Sequence, residues 1–209
     1  LFLNVTRRLH PNICAYTSEM FYERRLTSNA GLERQRLEGA DPFEGAGLFY
    51  VPVRHVANQN KSTEEVSAVR RIVQRLIRED SRWTDARGES RLLTTDDVLI
   101  VAPYNAQVGL LEEAMPQCRV GTVDRFQGQE APVVFYSMTS SSALDAPRGM
   151  SFLYNPNRLN VATSRARCAC ILVACPDVLE PECHSPPQMK WASALCRYRE
   201  LAREIRLDG

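Results

Sequence analysis

No stretch of this chain reads G-x-x-x-x-G-K-S/T, and no strand-like run ends on an Asp-Glu pair. The first absence removes the backbone cradle and lysine that grip a nucleoside triphosphate; the second removes the carboxylates that hold Mg²⁺ and activate water. A complete ATPase site is therefore excluded from these 209 residues. The dinucleotide fingerprint G-x-G-x-x-G is also missing after the first strand, which argues against a Rossmann-type metabolic enzyme. No apolar run approaches membrane-spanning length and the first residues lack the pattern of a signal peptide, so no membrane partner is expected. Seven cysteines (Cys14, Cys118, Cys168, Cys170, Cys175, Cys183 and Cys196) fall without paired spacing. That fits reduced thiols in a cytoplasmic protein better than a disulfide framework. Acidic and basic residues nearly cancel, at a net charge of +1, so any contact with nucleic acid has to come from a local patch. The chain opens on LFLNVTRRLHP without an initiating Met, in what reads as the end of a strand; it is expected to be cut from something longer.

What is present alternates between two periods. After His10 and Pro11, apolar Ile13, Tyr16, Met20 and Phe21 recur at helical spacing, with Asn12 placed as a cap. Residues 27–47 lack sustained periodicity and read as a surface insertion that covers the core without building it. LFYVPV (48–53) reads as a strand, and Val66, Val69, Ile72, Val73, Leu76 and Ile77 trace the apolar stripe of a helix. Residues 78–95 read as charged linker. DVLIVAP (97–103) has the continuous apolar character of a buried parallel strand and runs into the helix YNAQVGLLEEAM; RVGTV, PVVFYSM and CACILVA are further strands. Helix-like residues lie between 158 and 165, residues 140–150 form a loop, and a last helix is expected over about 188–206, in a helical extension covering 176–209. Strands alternating with helices predict an α/β fold, a mainly parallel sheet with helices on both faces, in one domain over 1–209.

In such sheets ligands sit beyond the carboxyl ends of strands. Four polar clusters are expected there: RRLHP (7–11), APYNAQ (102–107), GTVDRFQGQE (121–130) and NPNRLNVATSRAR (155–167). Singly each has a plain reading: a surface ion pair, a turn, a helix start. Together, in this order, they resemble motifs of the C-terminal motor domain of superfamily 1 helicases of the nonsense-mediated-decay and Okazaki-fragment-processing type. RRLHP with the downstream FYERRL is similar to that family's YRMHP and FYEG segments, VLIVAPYNAQ to its motif IV, TVDRFQGQE to motif V and RLNVATSRAR to motif VI. The RRLHP form with FYERRL resembles bacterial members, some of which carry a RecB-like nuclease.

The resemblance implies a RecA-like fold of the P-loop NTPase superfamily, a second motor domain lacking the P-loop. Arg165 becomes the arginine finger and Arg8 a second phosphate-reaching arginine, because a planar, permanently charged guanidinium suits the charge that spreads over a transferring phosphoryl group. Arg7, Gln127, Gly128, Glu130 and Arg167 fall at the nucleotide, with Glu130 accepting from the ribose. Pro103, Tyr104, Asn105 and Thr122 fall in motifs that touch the nucleic-acid strand, where a hydroxyl and loop amides hold phosphate without reading bases. The implied cofactors are ATP and Mg²⁺, gripped by a first RecA-like domain of the same polypeptide before Leu1; the implied partner is single-stranded nucleic acid, DNA being favoured over RNA.

Several readings stay open beside these. Tyr104 also fits a helix-start aromatic packed on the core, Glu130 an exposed helix-start carboxylate, and His10 a structural role. Arg7 departs from the family's adenine-stacking Tyr, although a guanidinium can lie flat on a base. Cys168 and Cys170, two apart on one strand, are expected on one face in core packing; their spacing matches no zinc template, so no metal is expected. The alternative function is a non-catalytic nucleic-acid-binding module that has kept the fold.

Overall fold

The computed structural model describes residues 4–78, 80–126 and 128–207. Strand β1 (Val5–Thr6) leads to helix α1 (Pro11–Phe21), strands β2 (Thr27–Ser28), β3 (Arg36–Glu38) and β4 (Gly47–Pro52), and helix α2 (Thr63–Leu76). Strands β5 (Arg82–Thr84), β6 (Ser90–Leu92) and β7 (Val98–Val101) follow, then α3 (Asn105–Ala114), β8 (Arg119–Gly121) and β9 (Ala131–Ser137). The chain continues through α4 (Met150–Leu153), α5 (Pro156–Thr163), β10 (Ala166–Ala174), α6 (Pro186–Leu201) and β11 (Arg203–Glu204).

Six strands form one sheet in the order β11-β4-β10-β9-β7-β8, and every neighbouring pair is parallel. All residues of β7 and β9 are buried, as a sheet covered on both faces requires. Alternation along β9 sends Val134 and Tyr136 into a core with Tyr16, Leu172 and Tyr198 beneath α1, α5 and α6. Val133 and Phe135 enter a second core with Phe43, Phe49, Ile72 and Val69 beneath α2. The expected α/β architecture is therefore present.

Helix starts follow from short polar side chains and proline. Pro11 and Pro156 occupy first-turn positions, where a missing N–H costs nothing. Asn155 caps α5 by accepting from Asn157 N at 2.9 Å, and Ser62 caps α2 by accepting from Glu65 N at 3.1 Å. At α1 the cap is His10, whose Nδ1 accepts from Asn12 N at 3.1 Å. Asn12, expected to cap, instead donates Nδ2 to Ala46 O at 3.0 Å.

Elsewhere the structure departs from the sequence reading. Residues 27–47 do build core: Leu32, Leu37, Ala40 and Phe43 are buried. β3 from this stretch and β5 and β6 from the expected linker form a separate antiparallel sheet in the order β3-β5-β6, with Leu37 and Trp83 facing inward. The last helix stops at Leu201, after which β11 adds an edge strand beside β4. Cys168 and Cys170 do not share a face: Cys168 lies in the α2 core and Cys170 in the α1 core. Ala166 and Ala169 of β10 pair with Ala131 and Val133 of β9, so β10 carries an extra residue there, and the resulting bulge turns one side chain over.

A buried polar layer ties the loops at the carboxyl ends of β4 and β9 together. His55 places Nδ1 at 2.7 Å from Ser141 Oγ and Nε2 at 3.0 Å from Glu65 Oε1. The other oxygen of Glu65 accepts from Ser137 Oγ at 2.5 Å and from Thr139 N at 2.9 Å. Gln107, from the APYNAQ segment, donates to Ser137 Oγ at 3.0 Å and accepts from Ser62 N at 2.7 Å. Thr139 has a φ of 76°, an uncommon conformation for a β-branched residue, and the Glu65 carboxylate holds its amide in place.

Candidate functional site

The arginines gather where β9 and β10 begin. Ala131 N donates to Arg165 O at 3.1 Å, so the segments entering the two strands run side by side and set Glu130 next to Arg165 and Arg167. Arg8 arrives from the β1–α1 turn, donating Nε to Glu130 and Nη1 to Ser164 O at 2.9 Å. Arg167 donates Nη2 to the other oxygen of Glu130. Burial pushes the Glu130 carboxyl up, but the hydrogen bonds and charges of Arg167 and Arg8 outweigh it and hold it below the usual carboxylate range.

Arg165 makes no salt bridge among the described residues, and its buried Nε has no hydrogen-bond partner. Burial, then repulsion from Arg8, pushes its pKa below the ordinary guanidinium value; a guanidinium nonetheless stays charged in a protein. Arg7, Arg8, Tyr22, Glu130 and Arg165 line one cleft of about 600 Å³. Three guanidinium groups here face one carboxylate, so the cleft is short of negative charge although the whole chain is nearly neutral. A group rich in anionic oxygens, such as a polyphosphate, fits that deficit.

A second cleft of about 300 Å³ lies at the carboxyl ends of β7 and β8 and takes in Pro103, Tyr104, Asn105 and Thr122. Tyr104 packs on the core, as one of its readings has it, and also lines this cleft. Its ring is 7% exposed and packs 5.4 Å from that of Phe152, while part of it lines the cleft; burial raises its phenol pKa. Arg148, Phe152 and Arg158 line the same cleft and were not singled out from the sequence. Their available signal was the basic residues flanking an aromatic in RGMSFLYNPNR, the interleaving that nucleic-acid surfaces use.

The structure thus brings Arg7, Arg8, Glu130 and Arg165 together, and separately Pro103, Tyr104, Asn105 and Thr122. It corrects the expectation that all four clusters sit at the carboxyl ends of one sheet. RRLHP follows β1, which pairs with β2 outside the main sheet, and Glu130, Arg165 and Arg167 stand at the amino ends of β9 and β10. Arg167 is turned to Glu130 and, 5.8 Å away, to the ring of Trp83; it is not in the lining of the arginine cleft. Gly128 is likewise outside that lining, in a turn with φ +81° that only glycine adopts readily. Gln127 lies outside the described residues. His10 is occupied in capping, and burial lowers its pKa against the opposing influence of Glu33. No helix among the described residues is long and apolar enough to cross a membrane.

The chain is similar over most of its length to several known proteins. "Helicase sen1" of Schizosaccharomyces pombe is 27% identical over 192 residues, covering 86% of this chain and 11% of that protein. "Putative regulator of nonsense transcripts 1" of Takifugu rubripes is 27% identical over 226 residues, covering 99% of this chain and 18% of its own length. "DNA-binding protein SMUBP-2" of Mesocricetus auratus is 29% identical over 181 residues, covering 79% and 17%. The chain spans under a fifth of the length of each of these relatives. The family described as "AAA domain" matches residues 1–177, which include the four motif clusters and all but the last two elements, α6 and β11. The chain, a RecA-like α/β domain homologous to superfamily 1 helicases, belongs to this AAA domain family.

Proposed function

We propose that the chain is the second motor domain of an ATP-dependent helicase acting on single-stranded nucleic acid, DNA in preference to RNA, and that it supplies the arginine half of an ATP site. The observation that carries this reading is Arg165, a guanidinium without an acidic partner that shares an open cleft with Arg8. These residues suit the phosphate end of ATP, and bound Mg·ATP supplies the phosphoryl group that is transferred to water. Arg165 and Arg8 neutralise charge developing on that group. In this reading Glu130 orients Arg8 and accepts from a ribose hydroxyl, and Arg7 covers a base.

Because the chain carries no P-loop, the grip on the triphosphate and Mg²⁺ belongs to a first RecA-like domain of the same polypeptide, and Arg8 and Arg165 engage the phosphates across the gap between the two. Engagement and release alternately close and open that gap, while Tyr104, Asn105 and Thr122 hold the strand. The similarity of RRLHP and FYERRL to bacterial members extends the reading to a polypeptide that also bears a nuclease.

The test is nucleic-acid-stimulated ATP hydrolysis by the 209-residue chain alone and joined to the P-loop domain that precedes it. The chain alone is expected to give no turnover, and the joined protein to be stimulated more by a DNA strand than by RNA. Turnover by the chain alone that Arg165→Ala abolishes would place the whole site within these residues and overturn the reading.

A further inference from the structure

Two arginines in the cleft at the carboxyl ends of β7 and β8 have no ion-pair partner among the described residues. Arg148, in the loop before α4, and Arg158, in the first turn of α5, bring their guanidinium carbons to 3.9 and 4.1 Å from the centroid of the Phe152 ring. Neither is in a salt bridge among the described residues. Asp124, the one carboxylate among the described residues lining this cleft, is not paired with them. Two like charges on one ring repel each other, and the ring's two electron-rich faces hold one of them each.

The two guanidiniums sandwich the ring, so an anion at the ring edge, within reach of both, would relieve that repulsion. Thr122, a hydroxyl-bearing residue, lines the same cleft. So does Asn105, the first residue of α3, whose N-cap Tyr104 provides no side-chain acceptor, leaving the amide end of that helix uncapped by a side chain. Phe152 carries two guanidiniums at stacking distance and Tyr104 alongside, so little of its surface is left for a base. We infer that Arg148 and Arg158, mounted on Phe152, clamp a backbone phosphate of the bound nucleic-acid strand. The inference rests on the reading that the Pro103-to-Thr122 groove carries the strand. It assigns to this clamp a sequence-neutral grip, as suits a motor that steps along any sequence.

The test is anisotropy of a labelled single-stranded DNA titrated with the chain between 50 and 200 mM salt. Arg148→Gln combined with Arg158→Gln should weaken binding about fivefold or more at low salt and flatten the plot of log affinity against log salt by about 0.7 for one lost phosphate contact. The loss should be equal on an abasic strand of the same length. Arg148→Lys with Arg158→Lys should restore the slope, with thermal unfolding unchanged in both double variants. Inorganic pyrophosphate, at matched ionic strength, should displace the strand only in part, because the clamp is one of several contacts along it.

If Thr122→Ala weakens binding while the glutamine pair leaves affinity and slope untouched, the clamp is wrong and the groove reading stands. If no groove variant, Thr122→Ala included, alters strand binding, both fall together. A loss confined to strands that carry bases, or full displacement by pyrophosphate, contradicts a strand-phosphate clamp.

Discussion

Replacing Glu130 by glutamine keeps the shape of the side chain while removing the charge that two arginines share. The carboxylate offers an acceptor oxygen to each of Arg8 and Arg167, whereas the amide has one acceptor oxygen and a donor NH₂, so one guanidinium must face a donor. A hydrogen bond to a charged group contributes about 1.5–3 kcal/mol. All three side chains are about one-third exposed, and solvent screening at that exposure favours the low end, about 2–3 kcal/mol for the pair of bonds. The sign of the pH dependence follows from Glu130 lying below the usual carboxylate range when folded. Its stabilisation is fully present above the unfolded value of about 4.3 and is lost as pH falls through the depressed folded value. Urea denaturation of both proteins from pH 7 to pH 3 should therefore show a constant gap down to about pH 5 that closes below about pH 4. A gap under about 0.5 kcal/mol at neutral pH, or one that persists unchanged in acid, would refute the clamped-carboxylate reasoning.

Three further outcomes are expected. Phe43→Ala, in the stretch first read as a surface insertion, should cost about 3–5 kcal/mol in chemical denaturation because Phe43 is fully buried; a loss under 1 kcal/mol would return residues 27–47 to the surface. Glu65→Ala strips acceptors from His55, Ser137 and Thr139 N and should cost about 3–5 kcal/mol, read by thermal and urea unfolding; near-neutrality would mean the polar layer is not closed to water. Tyr198→Phe removes a hydroxyl bonded to Cys170 O at 2.7 Å and Phe49 O at 3.2 Å and should cost about 1–3 kcal/mol in the same assay, whereas a stabilised variant would contradict those bonds.

The continuous apolar runs at β7, β9 and β10 were legible because a strand buried on both faces has no polar positions to break the pattern. The antiparallel sheet was not. β3, β5 and β6 have three residues each, too few for a period to appear, and their two buried apolar side chains, Leu37 and Trp83, look like chance in a charged stretch. The bulge in β10 was invisible for a related reason: alternation read from sequence assumes an unbroken register, and one extra residue inverts every position beyond it. At the site, motif resemblance singles out Arg8, Glu130 and Arg165, and the structure brings the three into one cleft. Their placement at the amino ends of β9 and β10 depends on strand order, which no local pattern carries. Arg148, Phe152 and Arg158 escaped notice because residues 140–150 have no periodicity and the ring that unites the two arginines lies four residues beyond one and six before the other.

The most direct test of the central claim is Arg165→Lys in the protein joined to the P-loop domain proposed to precede it, with nucleotide affinity, turnover and melting temperature measured on one preparation. Lysine keeps the charge but loses the planar fork. Affinity and melting temperature should hold nearly constant while turnover falls by roughly 10³ to 10⁵, about 4–7 kcal/mol of barrier. A fall of less than about tenfold per folded molecule, about 1.4 kcal/mol, would show that Arg165 does not reach the transferring phosphoryl group.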